Sequence, residues 1–120
     1  MKLKIISCKT LKEYLGRKDV LLLDLREKSA YDATHYAGAV WADWENLEKE
    51  VDRLLASAEE PIQWIILYCD HGNISLVSAR DLAKHGYQVM SLGGGYEYCS
   101  TNNRNQNQNP YRSSSPSFRP

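Results

Sequence analysis

Cysteine and histidine are both scarce in this 120-residue chain, with three of each. Cys8, Cys69 and Cys99 lie far apart, without a C-x-x-C pair or clustered histidines, which argues against a zinc site and a disulfide framework. So odd and sparse a set suits a reducing compartment in which a thiol stays free, and the cytoplasm is the expected location. Long apolar runs are missing too. Stretches such as Val20 to Leu23 and Ile65 to Tyr68 fall far short of the roughly 18 residues that suggest a membrane span, so a soluble protein with no membrane partner is expected. The start, Met1 to Ser7, is basic, but its apolar stretch is too short for the core of an export signal. Net charge is absent as well: 15 basic side chains face 15 acidic ones. Residues 1–100 hold 12 of the former and all 15 of the latter, a poor basis for binding nucleic acid.

What is present points to one domain with a real core, since 42% of the residues are hydrophobic and the length is too small for two comfortable domains. From Thr101 onward the composition turns to Asn, Gln, Ser, Pro and Arg, with Tyr111 and Phe118 as the only large apolar groups. Such a segment buries too little surface to offset its ordering entropy. We therefore expect a folded unit over residues 1–100 and a disordered tail over 101–120, in which Tyr111 to Phe118 is a candidate partner-binding stretch.

Short apolar strands alternate with helical patterns through the first 100 residues. Lys4 to Ser7 reads as a strand, and Thr10-Leu11-Lys12-Glu13 has the spacing of a capping box. Val20 to Asp24 and Ile62 to Tyr68 are near-continuous apolar runs, as expected of strands covered on both faces. Ser29 to Asp32 opens a helical turn, and Ala39 to Trp41 is a brief strand. The clearest helix runs from about Trp44 to Ala58, where Trp44, Leu47, Val51, Leu54, Leu55 and Ala58 share one face. Ser75 to Lys84 is a further helix stopped by Gly86, and Gln88 to Leu92 is a last strand before Gly93-Gly94-Gly95. The alternation implies an α/β fold with a parallel sheet flanked by helices.

Open parallel sheets place functional groups beyond the carboxyl ends of their strands, and Cys69 stands there. The stretch Cys69-Asp70-His71-Gly72-Asn73-Ile74-Ser75 leads into a helix whose expected N-cap is Ser75. A loop curled around the sulfur would aim backbone N–H groups and the helix dipole at it, favouring a negative charge and a nucleophilic thiolate. Gly72 and Asn73 tolerate the left-handed angles such a cradle needs. Position alone leaves a second reading equally open, an inert buried cysteine at a strand end.

Four blocks in order shift that balance. Leu22-Leu23-Asp24-Leu25-Arg26, then Tyr31 through His35-Tyr36-Ala37-Gly38-Ala39, then Cys69-x-His71-Gly72-Asn73-x-Ser75, then Gly86-Tyr87 with Leu92-Gly93-Gly94-Gly95-Tyr96 resemble the rhodanese family, and in particular its small single-domain thiosulfate sulfurtransferases. The resemblance covers roughly Lys4 to Tyr98. It implies a rhodanese-like fold, a five-stranded parallel sheet with helices on both faces. It also implies a two-step reaction in which Cys69 takes a sulfane sulfur from thiosulfate or a persulfide and passes it to cyanide or a thiol, without cofactor or metal. Asp70 to Ser75 would form the active-site loop. Asp24 and Arg26 are expected to pair and brace that loop, because buried charges are usually paired, with direct substrate contact as the lesser alternative, and His35 to be a hydrogen-bonded histidine at a loop-to-strand junction, with a catalytic role as its lesser alternative. His71 is either an anion contact or a solvated loop side chain. Cys8 and Cys99 are expected bystanders, with a minor option that Cys99 resolves a Cys69 persulfide. The triple glycine is expected to form a turn beside the active loop, not a nucleotide site.

Asp70 departs from the basic loops common among thiosulfate users and would repel a dianionic donor, which favours a protein-bound or less charged persulfide. Two rivals remain. A phosphatase of the same fold needs a loop arginine to clamp phosphate, absent here. A non-catalytic binding module, or a redox or persulfide sensor, would merely retain the cysteine.

Overall fold

Strand and helix alternate from the outset in the computed structural model, which describes residues 2–108. In chain order the elements are β1 (Lys2–Ile6), α1 (Cys8–Tyr14), β2 (Val20–Asp24), α2 (Lys28–Ala33), β3 (Val40–Trp41), α3 (Leu47–Ser57), β4 (Trp64–Tyr68), α4 (Asn73–Lys84), β5 (Gln88–Leu92) and α5 (Gly95–Gln108), with a 3-10 turn over Trp44–Asn46 leading into α3. The five strands form one sheet in the order β1-β5-β4-β2-β3, and every neighbouring pair is parallel.

The expected α/β architecture is therefore present, and the apolar runs explain it. β4 is the middle strand, so both of its faces need cover. Ile65, Leu67 and Cys69 point to one face, packing with Leu47 and Val51 of α3 and Ala79 and Leu82 of α4. Ile66 and Tyr68 point to the other, toward Leu11 of α1, Cys99 of α5 and the half-buried Tyr31 of α2. This alternation along one strand is what divides the core into two layers.

Several boundaries differ from expectation for physical reasons. The first helix is capped by Ser7, whose side chain accepts from the Thr10 N–H, because β1 ends at Ile6 and the helix starts almost at once. Thr10 is thus inside the first turn. Trp44 does not join the apolar face of α3; it sits on the 3-10 turn and is 46% exposed. α5 also runs on past residue 100. α5 carries residues 101–108 of the segment expected to be disordered, since a helix already nucleated at Gly95 and anchored through buried Cys99 adds further turns cheaply. The remainder of that segment, Tyr111 to Phe118 included, lies outside the described residues.

The largest correction concerns the cysteines. Cys8 and Cys99 form a disulfide, with their Cα atoms 5.6 Å apart, across a sequence separation of 91. Nothing local hints at it, yet topology requires the approach. β1 and β5 are hydrogen-bonded neighbours with Ile6 opposite Leu92, so α1 and α5, which leave those strand ends, start side by side. Cross-linking so long a loop should stabilise the fold by roughly 2–4 kcal/mol. Reduction with a phosphine, or Cys8→Ala, is expected to lower the urea midpoint by a corresponding amount, and an unchanged midpoint would contradict the pairing.

Candidate active site

β2 runs on to β3 on one side of the sheet, and β4 to β5 on the other. The loops leaving these two neighbouring strands therefore cross in opposite directions, at the kind of strand-order reversal where parallel sheets commonly bind ligands. Leu25 to Glu27 and Cys69 to Gly72 are the segments that leave β2 and β4 there.

Cys69 sits in the second of these segments, and its loop does curl back. The Gly72 N–H donates to Cys69 Sγ at 3.2 Å and the Ser75 N–H at 3.3 Å, while Asn73 Oδ1 stands 3.9 Å from the sulfur. Gly72 occupies the N-cap position of α4 with φ +95°, a left-handed angle that favours glycine. Ser75, expected as the cap, lies instead inside the first turn. A glycine cap offers no side-chain acceptor, so the cysteine sulfur takes that place and receives a helix N–H that would otherwise lack a partner. As a thiolate it would also meet the positive end of a twelve-residue helix, an interaction usually worth about 0.3–1 kcal/mol.

The rest of the loop is fixed from behind and above. Ser75 Oγ donates to the Gly72 carbonyl and lies 2.9 Å from Ser91 Oγ, both serines being buried. Ser91 escaped the sequence reading, although a serine inside the apolar strand β5 needs a buried polar partner and so signals one. On the outer side, the Tyr96 and Glu97 N–H groups at the start of α5 donate to the carbonyls of Cys69 and Asp70. The triple glycine is thus a turn against the active loop, as expected. At Gly95 a Cβ would fall 2.3 Å from the Asp70 carbonyl oxygen, and φ is +75°. Gly95→Ala should therefore displace the loop and cost roughly 1–3 kcal/mol, measured by urea titration together with shifts of the Gly72 and Ser75 amide resonances. Unmoved amides would count against this account.

Asp24 and Arg26 are buried together, with side chains 0% and 4% exposed. Arg26 Nε and Nη2 both reach the Asp24 carboxylate, at 3.1 and 2.7 Å, and Nη2 also donates to the Thr34 carbonyl at 2.6 Å. Burial works against the charge on Arg26, but the Asp24 hydrogen bond and charge outweigh it, and the guanidinium pKa lies above its ordinary value. That guanidinium lies 3.9 Å from the ring centre of Tyr96, so the ion pair supports the residue whose N–H holds the Cys69 carbonyl. Tyr36, Tyr68 and Tyr96 pack around it. Burial, then the Asp24 carboxylate, push the Tyr68 hydroxyl far above its usual pKa, and that hydroxyl accepts from the Tyr36 N–H at 3.3 Å.

The other expected site residues are less engaged. His35 is exposed, its Nδ1 2.7 Å from the Tyr31 carbonyl and its ring stacked on Tyr31. His71 is exposed on the loop and Asn73 at the first position of α4, while Asp70 and Ile74 are half-buried. Cys99 does not serve Cys69: it is bonded to Cys8 and lies in the opposite layer of the core. Among the described residues no group of three His, Cys, Asp or Glu side chains could hold a metal ion, and no helix is long and apolar enough to cross a membrane.

Known proteins resemble this arrangement over most of its length. The Rhodanese-like domain family matches residues 7–102. Thiosulfate sulfurtransferase GlpE of Coxiella burnetii (strain RSA 331 / Henzerling II) is 30% identical over 86 residues, which is 71% of this chain and 76% of that protein. Its counterpart in Pseudoalteromonas translucida is 32% identical over 102 residues, 80% of this chain and 88% of the relative. Among solved structures, a rhodanese-related protein from Thermoplasma volcanium superposes with a TM-score of 0.68 at 20% identity, over 82% of this chain and 92% of that one.

Proposed function

Because this chain belongs to the rhodanese-like domain family, we propose that it is a sulfurtransferase that carries a sulfane sulfur on Cys69. The observation that supports this most is the pair of backbone N–H groups aimed at Sγ at the start of α4. Burial alone, at 2% exposure, fits an inert core cysteine; two amides directed at the sulfur fit a group that must carry negative charge.

In the first half-reaction the Cys69 thiolate attacks the sulfane sulfur of a donor. The donor's S–S bond breaks, sulfite departs from thiosulfate or a thiolate from a persulfide, and Cys69 holds the new S–S bond with a terminal anionic sulfur. In the second, a thiolate or cyanide attacks that terminal sulfur and Cys69 leaves as thiolate. Splitting the transfer through a covalent intermediate is the benefit of the nucleophile, and the Gly72 and Ser75 amides stabilise the anion at both stages. Neither half calls on a cofactor.

Donor choice follows from the loop. With Asp70 beside the cysteine and no lysine or arginine between Cys69 and Ser75, a dianion such as thiosulfate meets repulsion. A persulfide donor suits the site better, and a phosphatase lacks its clamp. The free thiol that this chemistry needs fits a reducing compartment, and the cytoplasm is the location we propose; the Cys8–Cys99 bond, of a kind that persists in oxidising surroundings, is the observation that opposes it.

Incubating the purified protein with thiosulfate and with glutathione persulfide, then mapping peptides by mass, tests the reading. We expect a gain of one sulfur atom on the peptide bearing Cys69. Its absence with both donors would favour the rival reading, a binding or sensing module in which the buried cysteine is retained without turnover.

A further inference from the structure

Five large apolar side chains stand exposed among the described residues, and two of them, Trp44 at 46% and Val77 at 58%, lie close to the active loop. They line a groove of about 220 Å³ together with Asn73 and Ile74. Asn73, at one end of the groove, is the residue whose Oδ1 lies 3.9 Å from the buried Cys69 Sγ. At its other end, past Trp44 and Ser78, the surface continues into a second depression of about 240 Å³ whose walls carry Glu45, Glu48 and Asp81. No lysine or arginine lines either depression. The one basic group there is His85, whose Nε2 is 3.5 Å from Glu48 and whose Nδ1 lies 2.8 Å from the Asp81 carbonyl.

A small sulfur donor needs none of this. Thiosulfate or cyanide gains nothing from an exposed indole and an exposed valine, and three carboxylates repel an anion. An apolar centre with an aromatic anchor and a charged rim is instead the make-up of a protein contact, and its sign selects a partner of opposite charge. Resting on the sulfurtransferase reading, we infer that this groove docks a protein acceptor of the Cys69 sulfur through a basic, apolar segment beside the acceptor's own cysteine. The apolar side chains of that segment cover Trp44, Ile74 and Val77, and its lysines or arginines face Glu45, Glu48 and Asp81. The acceptor thiolate then attacks the terminal sulfur of the Cys69 persulfide, the S–S bond breaks, and Cys69 leaves as thiolate while the acceptor departs as persulfide.

Two short synthetic peptides serve as probes, one with cysteine flanked by leucine and lysine, the other identical but with glutamate for lysine. Their binding to Cys69→Ser protein is followed by the NMR signals of the Trp44 indole and the Val77 methyls, a readout that does not depend on catalysis. At low salt the basic peptide is expected to bind about tenfold or more tighter than the acidic one, an advantage that shrinks as salt screens the charges. Glu45→Gln/Glu48→Gln/Asp81→Asn should abolish the difference, and Val77→Asp should weaken the basic peptide's apolar contact. Equal binding of the two peptides, shifts confined to another surface, or self-association of the protein through Trp44 and Val77 would overturn the inference. With sulfur-loaded wild-type protein, the rate of transfer to the basic peptide relative to β-mercaptoethanol should fall about tenfold in the triple variant. Failure to load sulfur at all would strike the sulfurtransferase reading and leave the binding result to judge the groove.

Discussion

Cys69→Ser is expected to abolish sulfur loading while leaving the fold about as stable as the parent, and Cys69→Ala to be the less stable of the two variants. The serine hydroxyl cannot hold sulfur, because its oxygen is a far weaker nucleophile when no base stands beside it. It can still accept from the Gly72 and Ser75 N–H groups that now point at the sulfur. Serine is also a favoured acceptor at a helix start, whereas losing such an acceptor costs roughly 0.5–2 kcal/mol. The alanine variant leaves two amides facing a methyl group. Urea unfolding of both variants, alongside the mass assay for bound sulfur, separates the chemical role of the residue from its capping role. An alanine variant as stable as the serine one would mean that the sulfur does not cap α4.

Removing one member of the buried ion pair should have the largest effect on stability. Arg26→Met leaves the Asp24 carboxylate, fully buried, without its countercharge, and breaking such a pair costs about 3–5 kcal/mol. Arg26→Lys recovers only part of this, because an ammonium cannot span both carboxylate oxygens and the Thr34 carbonyl as the planar guanidinium does. Replacing both members, as Asp24→Leu with Arg26→Met, should restore much of the loss, since no uncompensated charge remains. The measurement is the unfolding free energy of the three variants. Equal destabilisation by the single and double changes would show that packing, not charge, is what the pair supplies. Because Arg26 stacks on Tyr96, and Tyr96 holds the Cys69 carbonyl, the single variants should also slow sulfur loading.

The sheet was legible in the sequence because β2, β4 and β5 are nearly continuous apolar runs bounded by turn residues, and such runs read alike in any context. Cys69 stood out only through the four blocks in family order, since its position alone reads equally well as an inert buried cysteine at a strand end. The cap was not legible. Ser75 carries the residue type that usually caps, and only the curl of the loop shows that Gly72 holds the position and the sulfur acts as acceptor. Trp44 misled because helical periodicity does not register a 3-10 turn, whose different pitch rotates the indole away from the face of α3. The Cys8–Cys99 bond was invisible because pairing of the first and last strands is a property of the whole topology, and composition likewise could not reveal how far α5 extends into an Asn- and Gln-rich stretch.

The central sheet also acts as a bulkhead between the free cysteine and the cystine. Exchange requires one sulfur to strike another directly, and here a full layer of backbone stands between the reactive atom and the cystine on the far side. On the proposed sulfurtransferase reading, a loaded Cys69 therefore has no internal outlet. Each discharge must await a collision with another molecule, and turnover should follow a double-displacement rate law whose second stage scales with acceptor concentration.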